Sequence, residues 1–335
     1  MSKYGDITNR NGALAEKKAL DIAKTTENIA KFGIQASMPA NATDTVTWRR
    51  PVALGPALTP LTEGVSPTAG SFDYDVVSLT LEQFGGVLEL TDVIADLHAD
   101  PVGSDMLDVS AEQAVTTCER LNWNEISAGT NVDYSGTAGA VNAVAVAVSK
   151  KDLRRAIKGL KRQKALPHKG MLAPTDKVGT KPIRKSYIAF CHTDLEADLQ
   201  DLDKFVPVEE YGSMQPLSDD EFGAFEGIRF ITNAEYVPLE DAGGAVDDAV
   251  FESTSGTVAD VYPIVITASK SYINLAFRRG KGGAGTPFKP MVMNPGTPRG
   301  GDALGQKGTV GWKMYHATGI ANESWIYTLK VACSK

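Results

Sequence analysis

The sequence has few of the residues that most often form catalytic or metal centres. It contains only 4 histidines and 3 cysteines, and no histidine has a Cys or His partner at the spacing of a metal site. The cysteines, Cys118, Cys191 and Cys333, lie far apart without a CxxC pair, which indicates a reducing compartment and no disulfide framework. No P-loop, HExxH, EF-hand or nucleophile-elbow motif occurs. We therefore expect no enzymatic activity, no metal and no cofactor.

Long hydrophobic runs and an excess of positive charge are also missing. The longest apolar run, 138–148, has 11 residues, whereas a membrane span needs about 20. The first residues, MSKYGDITNRNG, lack the apolar core of a signal peptide. We expect a water-soluble protein that is made inside the cell and has no membrane partner. The formal charge of −7 argues against a protein whose whole surface binds nucleic acid.

Two short motifs resemble functional sites, but we interpret both as ordinary loops or turns. Glycines at 280, 282 and 285 match GxGxxG, but prolines follow at 287, 290, 295 and 298, so no helix begins where a pyrophosphate would bind. His98 and Asp100 in LHADP would form an acid–base pair only if a nucleophile approached in space. A turn before the next helix is the favoured interpretation.

A stiff, partly apolar stretch at residues 48–64, WRRPVALGPALTPLTEG, is the most unusual feature. Its prolines fix φ and lack a backbone donor, which excludes a regular helix or a central strand. Its tryptophan and leucines nevertheless favour burial. Together with the alternating segment FDYDVVSLTLEQFGGVLELT, this stretch predicts an extended hairpin over 43–91, with a bulge at Val76–Val77. The arginine pair Arg49–Arg50 is either solvated or paired with carboxylates of a neighbour.

Two helices are predicted next. Apolar residues repeat every three or four positions over 104–128, which predicts a long helix with Ser104 as N-cap and Gly129 at its end. A second helix begins at Ser149 and carries eight Lys or Arg between 150 and 164 around one apolar face. An acidic segment, 194–221, has ten Asp or Glu and one Lys. The basic face therefore serves as a subunit contact, a solvated surface or a nucleic-acid contact, and all three remain open.

The rest of the chain alternates strands and loops. Residues 1–42 are predicted to form an N-terminal arm with a thin apolar helical stripe. SYIAFCH predicts a buried strand, and the acidic segment after it predicts a helix capped by Thr193. Further strands are predicted over 227–232 and 261–277, with closing strands over 308–334. A chain of 335 residues exceeds the size of one hydrophobic core, so two or more lobes are expected.

Several of these segments occur together in one known family. RRPVALGPALTPLTEG, LTLEQFGGVLELTDVIADLHADP, LRRAIKGLKRQKA, YIAFCHTDLEADL, FEGIRFI and DALGQKGTVGWK stand here in the order found in tailed-bacteriophage major capsid proteins of the phage N4 group. The resemblance covers roughly 45–335. The sequence departs from the family pattern in two short segments. It has His192-Thr193-Asp194 where the family has His-Pro-Asp, and Asp220-Glu221-Phe222-Gly223 where the family has Gly-Glu-x-Gly.

The resemblance implies an α+β fold, the HK97-like capsid fold. It implies an N-terminal arm at 1–42, an E-loop with its return strand at 43–91, and a P-domain at 92–167 whose spine helix is 104–128. An A-domain at 168–299 and C-terminal strands at 300–335 that return to the P-domain complete this division.

The implied function is that of a major capsid protein. Such a chain assembles with identical subunits into hexamers and pentamers of an icosahedral head around double-stranded DNA, in the bacterial host cytoplasm. Portal, scaffolding and decoration proteins are implied partners, and DNA lies near the shell without specific binding. A nanocompartment shell of the same fold and a nucleic-acid-binding protein that uses helix 149–165 are the alternatives.

Two sets of residues are predicted to contact other subunits. The E-loop set is Trp48, Arg49, Arg50, Pro51, Leu54, Leu58, Leu61 and Glu63. The basic-helix set is Arg154, Arg155, Lys158, Lys161 and Arg162.

Overall fold

A computed structural model describes most of the chain. It covers residues 27–39, 43–61, 63–66, 69–97, 102–168, 185–211, 216–246, 250–278, 288–296, 298 and 300–335. The glycines of the GxGxxG match, His98, Asp100 and the apolar stripe before residue 27 lie outside these ranges. No helix within the described ranges is long and apolar enough to cross a membrane.

The chain divides into two compact units. Within the described residues, the smaller unit contains Gly85–Val115 and Phe288–Lys313, and the larger unit contains the remaining ranges. This division does not follow the N-arm, E-loop, P-domain and A-domain boundaries given above, which stay a prediction.

The helices and strands alternate along the chain. The helices are α1 (Ile29–Phe32), α2 (Asp92–Leu97), α3 (Val102–Ser127), α4 (Lys150–Arg162) and α5 (Glu196–Gln200). The strands are β1 (Ile34–Pro39), β2 (Thr45–Pro51), β3 (Tyr74–Thr80), β4 (Glu82–Thr91), β5 (Val132–Tyr134), β6 (Tyr187–Cys191), β7 (Val206–Pro207), β8 (Glu221–Phe225), β9 (Ile228–Thr232), β10 (Val261–Thr267), β11 (Tyr272–Arg278), β12 (Phe288–Met293), β13 (Lys307–Ile320) and β14 (Ile326–Ala332).

The larger unit is built on a seven-stranded sheet with the order β5-β14-β10-β6-β9-β8-β7. Alternate residues of its central strands point to opposite faces, as the pleat requires. Ala189 and Cys191 of β6 pack in one apolar cluster with Leu153 of α4. Phe190, between them, packs in a second cluster with Trp123 of α3. The sheet is therefore covered on both faces, which explains why β6 is an uninterrupted buried run.

A second sheet has five strands: β1, β11, β13, β12 and β4. In the larger unit, β1 runs parallel to β11, and β11 pairs antiparallel with residues 316–320 of β13. In the smaller unit, β12 and β4 pair with β13. The indole of Trp312 donates a hydrogen bond to Gln113 Oε1 at 3.0 Å, which joins β13 to α3 within that unit.

The predicted hairpin is present, but the predicted bulge is wrong. β2 and β3 pair antiparallel from Thr45–Thr80 to Pro51–Tyr74 without a register shift. The sequence alternation breaks at Val76–Val77 because both faces of β3 carry apolar side chains. Val77 is half-buried, whereas Val76 is exposed on the other face.

The two predicted helices are present, and one cap is corrected. α3 begins at Val102 and ends at Ser127, so Ser104 lies inside the first turn and is not the N-cap. α4 begins after Ser149, whose side chain accepts a hydrogen bond from the Asp152 backbone N–H. Its apolar positions are buried as predicted: Leu153, Ala156, Ile157 and Leu160.

Three further predictions differ from the structure in detail. The acidic helix is a 3₁₀ turn, Thr193–Leu195, followed by the short α5, and its cap is His192 rather than Thr193, because the imidazole accepts the Asp194 N–H. The predicted strand over 261–277 is two strands, β10 and β11, which enter different sheets.

Candidate assembly surfaces

The tip of the β2–β3 hairpin is exposed throughout. Every described residue from 49 to 76 is exposed. Leu54, Leu58 and Leu61 are 71%, 84% and 77% exposed. Five more large apolar side chains of this segment are also exposed: Val52, Val65, Phe72, Tyr74 and Val76. We call residues 49–76 the arm; large, contiguous apolar exposure of this kind marks an interaction surface.

The base of the hairpin packs on its own chain by one face. Trp48 pairs across the hairpin with Val77, and both are half-buried. Leu79, on the same face, lies against Gly319 of β13, where a Cβ would come within 2.2 Å of Leu79 Cδ2. Trp48 was predicted to contact a neighbour together with the arm leucines. Trp48 lies on this inner face, whereas the arm leucines are exposed, and its contact with a neighbour stays a prediction.

The two arginines at the base of the arm lie on opposite faces of β2. Arg50 Nη2 contacts Asp75 Oδ2 across the hairpin at 2.6 Å, and Arg50 Nη1 also donates to Ala321 O at 3.4 Å. Arg49 pairs in register with Val76 on the outer, exposed face. The charge of Arg50 is therefore satisfied within its own chain. The predicted contact of each arginine with a neighbour stays a prediction.

Three cations in the first half of the basic helix α4 are paired with carboxylates of the same chain. Arg154 Nε donates to Glu226 Oε2 at 2.7 Å, and Lys150 Nζ contacts Asp203 Oδ2 at 3.0 Å. Arg155 pairs with Asp133 and, at 3.2 Å, with Asp152. The hydrogen bond from Arg154 lowers the pKa of Glu226, as that from Lys150 lowers the pKa of Asp203. Asp133 lies in β5, Asp203 follows α5 and Glu226 lies between β8 and β9, so the sequence alone did not reveal these three partners.

The second half of α4 presents cations that pair with no carboxylate of the described chain. Lys158, Lys161 and Arg162 are exposed and surround a shallow depression whose floor includes Ile157. We call these three cations the cationic ledge. The predicted basic-helix set is thus split into two groups, since Arg154 and Arg155 are held internally and the ledge is not.

A buried polar cluster, which the sequence analysis missed, anchors the chain just before α1. Glu119 of α3 is fully buried, and its Oε1 accepts hydrogen bonds from the backbone N–H of Asn28 and of Ile29, each at 3.2 Å. The Tyr236 hydroxyl donates to the same oxygen at 2.7 Å. Burial raises the pKa of Glu119 to about 7. The sequence could have indicated this burial through helical spacing, because Glu119 stands one turn before Trp123 on the buried side of α3.

In the described part of the chain, burial shifts the pKa of the three cysteines and of two histidines. All three cysteines are free and buried, and burial raises the pKa of each thiol. Burial lowers the pKa of His168 and of His316 to about 4. Among the described residues, no group of three or more His, Cys, Asp or Glu is arranged to bind a metal ion.

The fold is that of capsid proteins. It is similar to the capsid of Ralstonia phage GP4, with a TM-score of 0.68 and 11% identity over 100% of this chain and 98% of that chain. It is also similar to the cyanophage Pam1 capsid, with a TM-score of 0.64 and 11% identity over the whole of both chains. The predicted α+β, HK97-like capsid fold is confirmed.

The sequence identifies the family. A family model described as "Phage capsid protein" matches residues 74–331. The major capsid protein of Pseudomonas phage KPP21 is 23% identical over 267 residues, which are 75% of this chain and 66% of that relative. The match thus spans just under two thirds of the relative's length. The chain belongs to the phage capsid protein family and is a capsid protein of the virion. Its assignment to the N4 group stays a prediction.

Proposed function

We propose that this chain is the major capsid protein of its phage and assembles with identical subunits into hexamers and pentamers that close into an icosahedral head around double-stranded DNA. Portal, scaffolding and decoration proteins are its further partners, and assembly takes place in the host cytoplasm. The chain acts as a structural subunit rather than as an enzyme. The family match favours this function over a nanocompartment shell.

The exposed arm is the observation that carries the proposal. Full burial of one leucine side chain contributes about 1.5–3 kcal/mol, and Leu54, Leu58 and Leu61 are all more than two thirds exposed in the single chain. That free energy becomes available only when another surface covers them. The prolines at 51, 56 and 60 restrict the arm in the free chain, so it loses little conformational entropy on docking.

A second copy is the partner that this arm fits best. An arm that docks on a different surface of the next subunit makes a heterologous contact, and heterologous contacts close into rings when the rotation allows. Each contact can be individually weak, because every subunit both gives and receives one and the lattice adds them together. Arg49, on the exposed face of the arm base, supplies a charged group for the same contact.

The experiment removes the apolar arm contacts without removing the arm. We expect Leu54→Ser/Leu58→Ser/Leu61→Ser to give a folded subunit with the wild-type circular dichroism spectrum that forms no shells by negative-stain microscopy. Deletion of residues 50–66 should give the same result. The control, Val146→Ser/Leu166→Ser/Val250→Ser, changes three exposed apolar side chains outside the arm and should still assemble. Shells of normal size from the triple leucine variant would refute the role of the arm.

A further inference from the structure

The cationic ledge and an acidic edge of the same unit are two exposed surfaces of opposite charge. Glu209 and Glu210 follow β7, the last strand of the seven-stranded sheet, and Asp219 lies just before β8, which pairs with β7. All three carboxylates are exposed, and none has an ion-pair partner in the described part of the chain. We call Glu209, Glu210 and Asp219 the acidic edge.

We propose that the cationic ledge of one subunit, Lys158, Lys161 and Arg162, binds the acidic edge of the adjacent copy. This contact deepens the proposed function and rests on it, because it names a second surface through which identical subunits meet. It is separate from the arm, since the residues involved lie on α4 and at the β7–β8 edge of the sheet.

The pairing already present on α4 supports carboxylates as the partner. The cations of its first half that have partners in the described chain, Lys150, Arg154 and Arg155, are all paired with Asp or Glu side chains. The ledge continues the same helix by one to two turns but has no such partner among the described residues of its own subunit. Carboxylates of another copy complete the pattern.

The composition of the ledge is less suited to nucleic acid. Its floor is the aliphatic Ile157, and no aromatic side chain lines it, whereas single-stranded nucleic acids stack their bases on aromatic rings. The chain carries 41 acidic and 34 basic residues, so other copies supply carboxylates in excess. Complementary patches on one chain favour head-to-tail contacts and fix their register.

Charge reversal on each side tests the contact. Wild type, Lys158→Glu/Lys161→Glu, Glu209→Lys/Glu210→Lys and the combined fourfold variant are compared by light scattering and sedimentation at low salt. We expect each double variant to raise the subunit concentration needed for assembly about tenfold or more, and the fourfold variant to recover most of that loss. Lys151→Glu/Lys185→Glu, which reverses two exposed lysines outside the ledge, should behave as wild type.

The outcomes separate this contact from the proposed function. If wild type forms no shells, the proposed function fails and this inference fails with it. If wild type assembles but Lys158→Glu/Lys161→Glu assembles equally well, or the fourfold variant is no better than the doubles, only the ledge contact is refuted. Duplex DNA binding at low salt that is lost in the lysine variant, with assembly unchanged, would assign the ledge to nucleic acid instead.

Disulfide cross-linking tests the contact between the cationic ledge and the acidic edge independently of the assembly yield. The three native cysteines are buried, so a Lys161→Cys/Glu210→Cys variant carries the only added exposed thiols. Mild oxidation during assembly should give a ladder of disulfide-linked oligomers on a non-reducing gel. The control, Lys151→Cys/Glu210→Cys, should remain monomeric on the gel. A ladder from both variants, or from neither, contradicts the proposed contact.

Discussion

Arg50 and Asp75 form an ion pair at 2.6 Å across the base of the arm, one position before Pro51 and Tyr74, the last registered pair of β2 and β3. The pair lies near the end of the β2–β3 ladder. Just beyond the ladder, the backbone N–H of Val52 donates a hydrogen bond to Asp73 O. These contacts continue the pairing of β2 and β3 into the first residues of the arm. The ion pair also gives Arg50 a carboxylate partner within its own chain, while its predicted contact with a neighbour stays a prediction.

Asp75→Asn should have only a small effect on folding. The side chains of Arg50 and Asp75 are 43% and 53% exposed, and an exposed pair contributes about 0–1 kcal/mol. We expect a loss of less than about 1 kcal/mol in urea unfolding at low salt, and no difference from wild type in 1 M salt, where the Debye length is about 3 Å. Shells should still form. A loss of several kcal/mol, or a difference that persists at high salt, would show that this pair holds more of the fold than its exposure indicates.

The buried Glu119 makes stability depend on pH in a defined direction. Burial raises its pKa from 4.5 to about 7, and hydrogen bonds from Tyr236, Ile29 and Asn28 oppose that shift in part. The folded chain therefore keeps this proton at pH values where the unfolded chain has released it. The stabilisation is fully present below about pH 4.5 and is lost as the pH rises towards 7, by on the order of 3 kcal/mol.

Glu119→Gln tests this dependence. We expect the unfolding free energy of the variant to rise relative to wild type as the pH increases from 4.5 to 8. The difference between the two proteins isolates Glu119, because the buried histidines, whose low pKa values have the opposite effect below pH 6.5, are present in both. Glu125→Gln, at an exposed position of the same helix, should show no such trend. A pH-independent difference for Glu119→Gln would contradict the assigned ionisation.

The features that the sequence predicted well are those with local causes. The hairpin over 43–91 follows from its prolines and alternation, and the basic helix follows from the Ser149 cap and four apolar positions that are all buried. The exposure of the arm leucines also agrees with a segment too stiff to fold back. These signals depend on neighbours within a few residues, which is why the sequence alone shows them.

What the sequence did not show depends on partners far along the chain. Glu119 is buried because the backbone at 28–29 and Tyr236 meet it from 90 and 117 residues away. The strands β10 and β11 are adjacent in sequence but enter different sheets, which no periodicity reveals. Likewise, the division of the basic helix into a paired half and a free ledge depends on carboxylates at 133, 203 and 226.

Close packing requires a glycine at position 223. This glycine is the last residue of the segment Asp220-Glu221-Phe222-Gly223, and the family pattern has a glycine there too. A Cβ at this position would lie 2.3 Å from Phe205 Cζ and 2.8 Å from the backbone oxygen of Val206. The β8–β9 register also shifts between Glu221 and Gly223. The Phe205 ring is held in turn by Phe222 and Phe230, at centroid distances of 5.4 and 6.1 Å. Neither the ring nor the backbone oxygen can move away freely.

Gly223→Ala should therefore destabilise the larger unit by about 1–3 kcal/mol, the usual effect of adding an atom to a packed site. The matched control is Gly139→Ala, where a Cβ meets no atom within 4 Å and the change should stay within about 0.5 kcal/mol. Both values come from urea unfolding of the soluble subunit. Equal stability of the two variants would mean that Phe205 and the β7 backbone shift easily.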